Sequence, residues 1–510
     1  MATEKSDTTK TFVAALWTLG GGIASTLLKF VVIVVLARLL TPAEFGIVAA
    51  AAMIVNLLQA LSYLGIGPAL IQRHELTQAH IATAQTISVA TCLVLAAGVI
   101  PAAPLFADVF QKPEVTEPLR YLSLMLIASG LAVVPQALLQ RDMRFNVIAI
   151  SEGGSFLIGY GLVSVVGAAL GFGVWALVAA MVAQSSLRML TLLIVQPPVP
   201  PAFETRPARD LLWFGVSMSA SDAIHHGIRQ IDTLIITRSF DAVALGLYNR
   251  VGSLTFQPIN QFSNSLSSVL FPAMSKLQND LERFNNAYCR ALGIFLLGLT
   301  SFGAATSVLA PEVIAVVLGP QWLTAIPLMH VIALGMSIRG TTRLIGTAFR
   351  ARGHANLLLG LQIEFLCVML ASCLAGVQFG LFGVAAGMSL AMLVHFMIGT
   401  VLVSVVLKCP GQRVAAIVVR CFVIAVVTAA AAAALAAMLR HRQALDIVIL
   451  LLGYAVAGGT GLLILAFTPR RLLGDDIVWA CQFFVERSLG HHKVVRLRAQ
   501  LGLARASENS

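Results

Sequence analysis

Residues 29–46 read KFVVIVVLARLLTPAEFG, and residues 229–246, two hundred positions later, read RQIDTLIITRSFDAVALG. Laid over one another, they set Lys29 on Arg229, Arg38 on Arg238, Leu40 on Phe240, Phe45 on Leu245 and Gly46 on Gly246, with Ile47 on Leu247 just beyond. A second echo, at an offset near 209, sets Gln140-Arg141 against Phe349-Arg350, Asn146 against Asn356, and Glu152 near Gln362 and Glu364. Self-similarity at this spacing points to two structural halves, an organisation common among membrane transporters.

Composition says what surrounds those halves. Of the 510 residues, 58% are apolar and only 11% charged, and the mean hydropathy is +0.88. That is too little polar side chain to cover a water-soluble globule, so lipid must solvate the chain. The apolar runs reach about twenty residues or more, the length of a helix crossing a bilayer, rather than the roughly ten alternating residues of a barrel strand. They fall at 11–39, 44–66, 80–103, 119–140, 146–169, 172–195, 210–237, 244–273, 287–310, 322–348, 355–376, 380–407, 412–438 and 445–468. This predicts an all-α polytopic membrane protein of about fourteen transmembrane helices.

The two-hundred-residue offset spans an even number of helices, so the first and seventh run in the same direction and the repeats are parallel. Two six-helix lobes follow, at 1–195 and 210–410, joined by a cytoplasmic linker at 196–209 rich in proline (Pro197, Pro198, Pro200, Pro201, Pro207). Two additional helices occupy 411–468, where the alanine run Ala429–Ala437 suggests lipid-facing or peripheral packing. A basic cytoplasmic tail covers 469–510.

With the amino terminus in the cytoplasm, one side of the membrane receives Lys5, Lys10, Arg73, Arg141, Arg144, Arg206, Arg209, Lys276, Arg283, Arg290, Arg350, Arg352, Lys408, Arg413 and the basic residues of the tail. The other receives only Arg38, Lys112, Arg120, Arg238, Arg440 and Arg442. The positive-inside rule requires such a bias of a correct span count, because one missed helix would scramble every later loop. Both termini are then cytoplasmic. Met1 to Lys10 is polar and leads into an apolar span without a small-residue cleavage motif, so the first helix is expected to remain as an anchor.

The net charge of +11 follows from this orientation. The basic residues are dispersed through loops without the aromatic interleaving of a strand-binding surface, so no nucleic-acid partner is expected. The seven cysteines show neither C-x-x-C nor paired spacing, which argues for buried inert thiols and against a zinc site or disulfide framework. No G-x-x-x-x-G-K-[ST] loop is present. No cofactor is therefore expected, and energy must come from an ion gradient, H+ or Na+, from consumption of product outside, or from both.

A charge at the bilayer centre costs at least about 2.5–3.5 kcal/mol, so each needs a cavity, a partner or a task. Helix seven carries Asp222, His225, His226, Arg229 and Asp232, the first four spaced to share one face. They either form an internal network that glues helices, or line a hydrated cavity and meet an anionic head group or a coupling proton. Lys29, Arg339 and Arg343 are further interior cations. Cations gathered around one space suit a diphosphate; the alternative for Arg339 and Arg343 is to snorkel to the head groups.

Helix eight presents Gln257, Asn260, Gln261 and Asn264 at three- and four-residue spacing. This amide stripe either receives sugar hydroxyls or bonds a neighbouring helix, and Pro258 and Pro272 bracket it as possible bends. Glu152 and Glu364 occupy nearly equivalent places in the two halves; each either binds a coupling cation or pairs with a lysine or arginine. Substrate contacts are thus expected from Lys29, Arg229, Arg339, Arg343, Gln257, Asn260, Gln261 and Asn264. Ion coupling is expected from Asp222, His225, His226, Asp232, Glu152 and Glu364. Neither catalytic residues nor metal ligands are expected.

Several strings also resemble a known family. They are Arg38-Leu39-Leu40-Thr41-Pro42-Ala43-Glu44-Phe45-Gly46, Gly65-Ile66-Gly67-Pro68-Ala69-Leu70-Ile71-Gln72-Arg73, Leu138 to Phe145, Leu245-Gly246-Leu247-Tyr248-Asn249-Arg250, Leu270 to Ser275 and Gly319-Pro320-Gln321-Trp322. Their order and spacing, over about residues 10–410, resemble the polysaccharide transporter family, the Wzx-type branch of the multidrug/oligosaccharidyl-lipid/polysaccharide exporter superfamily. The resemblance implies two six-helix lobes around a central cationic cavity. It implies a flippase for undecaprenyl-diphosphate-linked oligosaccharides, with membrane lipids, a polysaccharide polymerase and chain-length machinery as partners. Two other readings remain open: an exporter of different cargo in the same superfamily, such as a peptidoglycan precursor or a drug, and a polymerase or ligase of the same pathway. Interior arginines speak against the drug exporter, and the short external loops against the enzyme.

Overall fold

The structure, a computed structural model, describes residues 29–62, 65–73, 75–213, 227, 230–467, 474 and 476. Among them are eleven helices long and apolar enough to cross a membrane, corresponding to eleven of the runs read from sequence. Of the remaining three runs, 244–273 lies within one 35-residue helix, Ala242–Lys276, whose polar stripe lowers its hydropathy. The runs 11–39 and 210–237 fall partly outside the described residues, although 29–39, 205–213 and Ile231–Ser239 are helical. The chain forms two compact units: Met1–Arg250 with Val317–Thr324, and Val251–Val316 with Ala325–Ser510.

The first unit contains α1 (29–39), α2 (Pro42–Ser62), α3 (Ile66–Gln72), α4 (Gln78–Phe110), α5 (Thr116–Leu122), α6 (Leu124–Arg141), α7 (Phe145–Gly154), α8 (Val163–Ala169), α9 (Val174–Val195), α10 (205–213) and α11 (Ile231–Ser239), and the start of α12 (Ala242–Lys276). The break between α1 and α2 is written locally. Pro42 suits a first helical position, where no N–H is needed. Thr41 Oγ1 accepts from the Glu44 amide at 3.4 Å while Glu44 Oε2 accepts from the Thr41 amide at 2.6 Å, a reciprocal cap on the first turn. Two hundred residues on, Asp241 Oδ1 accepts from the Ala244 amide at 2.8 Å to start α12.

Between α7 and α8 the helix widens into a π-helical stretch, Ser155–Leu162. Helix α6 packs against α3, α4 and α9. Ile66, Leu70, Ala84, Val134 and Leu138 form a core there, completed by Leu211 of α10.

The second unit continues α12 and adds α13 (Leu281–Val308), α14 (Ala310–Val313), α15 (Ile326–Ala351), α16 (Ala355–Val377), α17 (Gly380–Val406), α18 (Gly411–His441) and α19 (Asp446–Phe467). Helix α13 packs between α15 and α18, and α17 between α15 and α16. The alanine run is not wholly peripheral. Ala429, Ala432 and Ala436 recur at helical spacing and are buried, and Ala432 meets Ala305 of α13 and Ala457 of α19. Without a hydrophobic drive inside lipid, small side chains hold helices together by letting them approach closely. Two bidentate ion pairs pin the ends of α18. Arg440 grips Glu312 at 2.6 and 2.8 Å, and Arg413 grips Asp476 at 2.8 and 2.6 Å while bonding Asn286.

Candidate functional site

Within the first unit, α2, α3, α6 and α9 line a partly open cavity of about 480 Å³, a volume suited to a small molecule or one segment of a larger one. Its polar lining comes from Gln59, Ser129, Gln136, Gln140, Gln184, Ser185 and Arg188. Gln59 donates to Ser129 Oγ at 2.8 Å. Arg188 donates to Gln136 Oε1 and to Glu152 Oε1, both at 3.0 Å, while its Nε is buried and meets no acceptor among the described residues. Glutamines and hydroxyls both give and receive hydrogen bonds, which is the chemistry that matches a polyol.

A row of cations and rings also runs through this unit. The Lys29 ammonium lies 5.5 Å from the Phe156 ring, Phe156 stacks on Tyr160 at 5.4 Å, and Arg250 lies 3.8 Å over Phe45, which meets Trp322 at 5.6 Å. Phe156 and Tyr160 both belong to the π-helical stretch, a geometry that often marks functional places in helices.

The second unit holds a separate cationic cluster. Arg343 of α15 donates to Asn260 Oδ1 at 2.6 Å and to Asn264 Oδ1, and Arg339, one turn earlier, lies 5.4 Å from the Phe256 ring. Glu364 of α16 pairs with His395 of α17 at 2.7 Å, beside Phe365. Its other oxygen, Oε1, is buried without a partner among the described residues.

The structure therefore joins Arg343, Asn260 and Asn264 directly, with Arg339 on the same helix. Gln257 and Gln261 are exposed on α12. Lys29 belongs to the first unit, as does Asp232, which is buried and accepts from the Tyr248 hydroxyl at 2.7 Å. Glu152 pairs with Arg188. Asp222, His225, His226 and Arg229 lie outside the described residues. Sequence reasoning missed Arg188, Gln136 and Gln184, although the run Gln184-Ser185-Ser186-Leu187-Arg188 is a conspicuous polar break in an apolar span. It missed His395 as the partner of Glu364, and Lys112, which was read only as a loop charge.

Helices apolar enough to cross a bilayer and a hydrogen-bonding cavity among them define a polytopic membrane protein with an internal polar site. A family described as "Polysaccharide biosynthesis protein" matches residues 35–327, and this chain belongs to it. Among its relatives, the teichuronic acid biosynthesis protein TuaB of Bacillus subtilis is 26% identical over 404 residues, 77% of this chain and 82% of the relative. The lipopolysaccharide biosynthesis protein WzxC of Escherichia coli is 24% identical, covering 76% and 79%. The succinoglycan biosynthesis transport protein ExoT of Rhizobium meliloti is 28% identical, covering 61% and 63%. The fold is shared with the lipid II flippase MurJ in an inward closed conformation (TM-score 0.75, 14% identity, 90% of this chain and 100% of that one). It is shared also with an inward-facing multidrug MATE transporter (TM-score 0.59, 16% identity, 75% and 95%). The chain is thus a multi-pass membrane protein of a polysaccharide biosynthesis family.

Proposed function

We propose that this protein is a flippase that moves undecaprenyl-diphosphate-linked oligosaccharide repeat units from the cytoplasmic to the periplasmic leaflet for lipopolysaccharide, exopolysaccharide or capsule assembly. The observation that carries the reading is the cavity of the first unit, whose glutamine, serine and arginine side chains offer the donors and acceptors that a glycan's hydroxyls need. Lys29, Arg229, Arg339 and Arg343 are the candidates to meet the diphosphate, and the amides of Gln257, Asn260, Gln261 and Asn264 are candidates to meet sugar hydroxyls. The prenyl chain stays in lipid throughout.

In this reading the fourteen helices form two six-helix lobes, at 1–195 and 210–410, that alternate access to the site, with 411–468 outside the repeat and both termini cytoplasmic. Asp222, His225, His226, Asp232, Glu152 and Glu364 are the candidates for coupling to H+ or Na+, and the product passes to a polymerase and its chain-length machinery. The test is purified protein in liposomes carrying a prenyl-diphosphate oligosaccharide, with outer-leaflet accessibility followed over time. Wild type transfers the lipid, and Arg339→Ala or Gln184→Leu slows it severalfold; no transfer of any lipid-linked glycan, with or without an ion gradient, would overturn the reading.

A further inference from the structure

Helices α1 and α11 end at positions that correspond two hundred residues apart, and each end receives a side-chain donor from far along the chain. Gln321 Nε2 donates to the Ala37 carbonyl at 2.5 Å and to the Leu40 carbonyl at 3.1 Å, at the end of α1. Lys112 Nζ donates to the Thr237 carbonyl and, at 2.6 Å, to the Phe240 carbonyl, at the end of α11. The acceptors correspond at the offset of 200 and the donors at the offset of 209. Each half of the sequence repeat thus caps a helix of the other, where carbonyls left without intrahelical partners and the negative end of the helix dipole attract a donor.

Further contacts reinforce this end. Trp322 Nε1 donates to the Ala37 carbonyl at 2.8 Å. A β-carbon on Gly46 would strike the Ala242 carbonyl, and one on Gly246 would strike the Pro42 carbonyl, so α2 and α12 touch backbone to backbone. Arg250 and Trp322 both lie against Phe45. Lys112 is 6% exposed although it sits in a loop. An ammonium buried so fully, with two carbonyls as its partners, is an expensive way to end a loop unless the contact does something.

We infer that Lys112 and Gln321 are the two arms of a clasp that holds one end of the helices shut, and that transport requires both arms to let go. The inference rests on the alternating-access reading, whose orientation makes this the periplasmic end. Lys112 and Gln321 are positioning residues: they touch no cargo and act through the carbonyls they cap.

The test uses full-length, cysteine-free protein spin-labelled at Asp108→Cys and Ser239→Cys, exposed positions at this end in opposite halves of the repeat, with distances measured in liposomes. Wild type gives a short distance. Gln321→Ala and Lys112→Met raise the long-to-short ratio by roughly fivefold or more, the effect of removing about one net hydrogen bond, whereas Lys112→Arg, which keeps the donors, stays short. Unchanged distances in both variants, with chromatography and melting intact, overturn the clasp. Should a variant fail to fold, bridging the same two cysteines with a short bis-maleimide in the otherwise wild-type chain replaces it: arrested transport supports the clasp, and continued transport overturns it. The distance measurement needs no glycan lipid, so a shift without any transport would leave the clasp standing and remove the cargo.

Discussion

Gly46 and Gly246 face one another across a helix crossing that leaves neither position room for a methyl group. The two residues are equivalent in the sequence repeat, and the collision each would cause is the mirror of the other's. Gly46→Ala and Gly246→Ala should therefore lower stability alike, by about 1–3 kcal/mol for overpacking a tight contact. Thermal unfolding in detergent checks this. Gly98→Ala, in α4 with nothing within 4 Å of the added carbon, should be neutral or gain up to about 1 kcal/mol from helix propensity.

Arg343 spans Asn260 and Asn264 with two nitrogens of one planar group. Lysine offers a point charge instead of that fork, so Arg343→Lys should transport nearly as poorly as Arg343→Ala. Full activity in the lysine variant would mean that charge alone matters there. A double-mutant cycle with Asn260→Ala should show coupling of roughly 0.5–3 kcal/mol.

Glu312 is 2% exposed and its two carboxylate oxygens accept from Nε and Nη2, one edge of the Arg440 guanidinium. Arg440→Met strands that carboxylate and should cost about 2–4 kcal/mol, toward the lower end because Arg440 itself is 42% exposed. Adding Glu312→Gln should recover most of the loss. Melting curves of the two single variants and the double decide it.

Burial pushes the Lys112 ammonium below the ordinary lysine range; Asp241 and Glu114 oppose that shift, and Arg238 adds to it. At lower pH both folded and unfolded chains carry the proton, and the burial cost is fully felt. As pH rises between the depressed folded value and the ordinary one, the unfolded chain holds the extra proton, so stability rises with pH across that alkaline window. Melting temperature against pH should show this slope in wild type and lose it in Lys112→Met.

The helical membrane fold was legible because bilayer thickness fixes run length, and an offset of 200 between Gly46 and Gly246 needs no structure to be seen. The polar stripe of α12 was legible too, since Asn260 and Asn264 recur at helical spacing. What periodicity cannot supply is the partner. Glu364 finds His395 on another helix 31 residues away, and Glu152 finds Arg188 at 36; both pairings depend on which faces meet. Lys112 was counted as a loop charge because its burial arises from contact with residues 125 and 128 positions further on. The alanine run misled because apolar small residues look alike whether they face lipid or a tightly packed neighbour.

The reciprocal capping has a consequence for how the chain is made. Gln321 lies 281 residues beyond Leu40, so at roughly 5–20 residues per second the ribosome needs on the order of 15–60 s to deliver it after α1 has emerged. Throughout that interval the first half sits in the bilayer with its helix end unfinished, and it cannot complete itself however long it waits. Closing this end is therefore an event of late biosynthesis, and a chain truncated before residue 321 would present quality-control proteases with an open helix terminus that the finished protein hides.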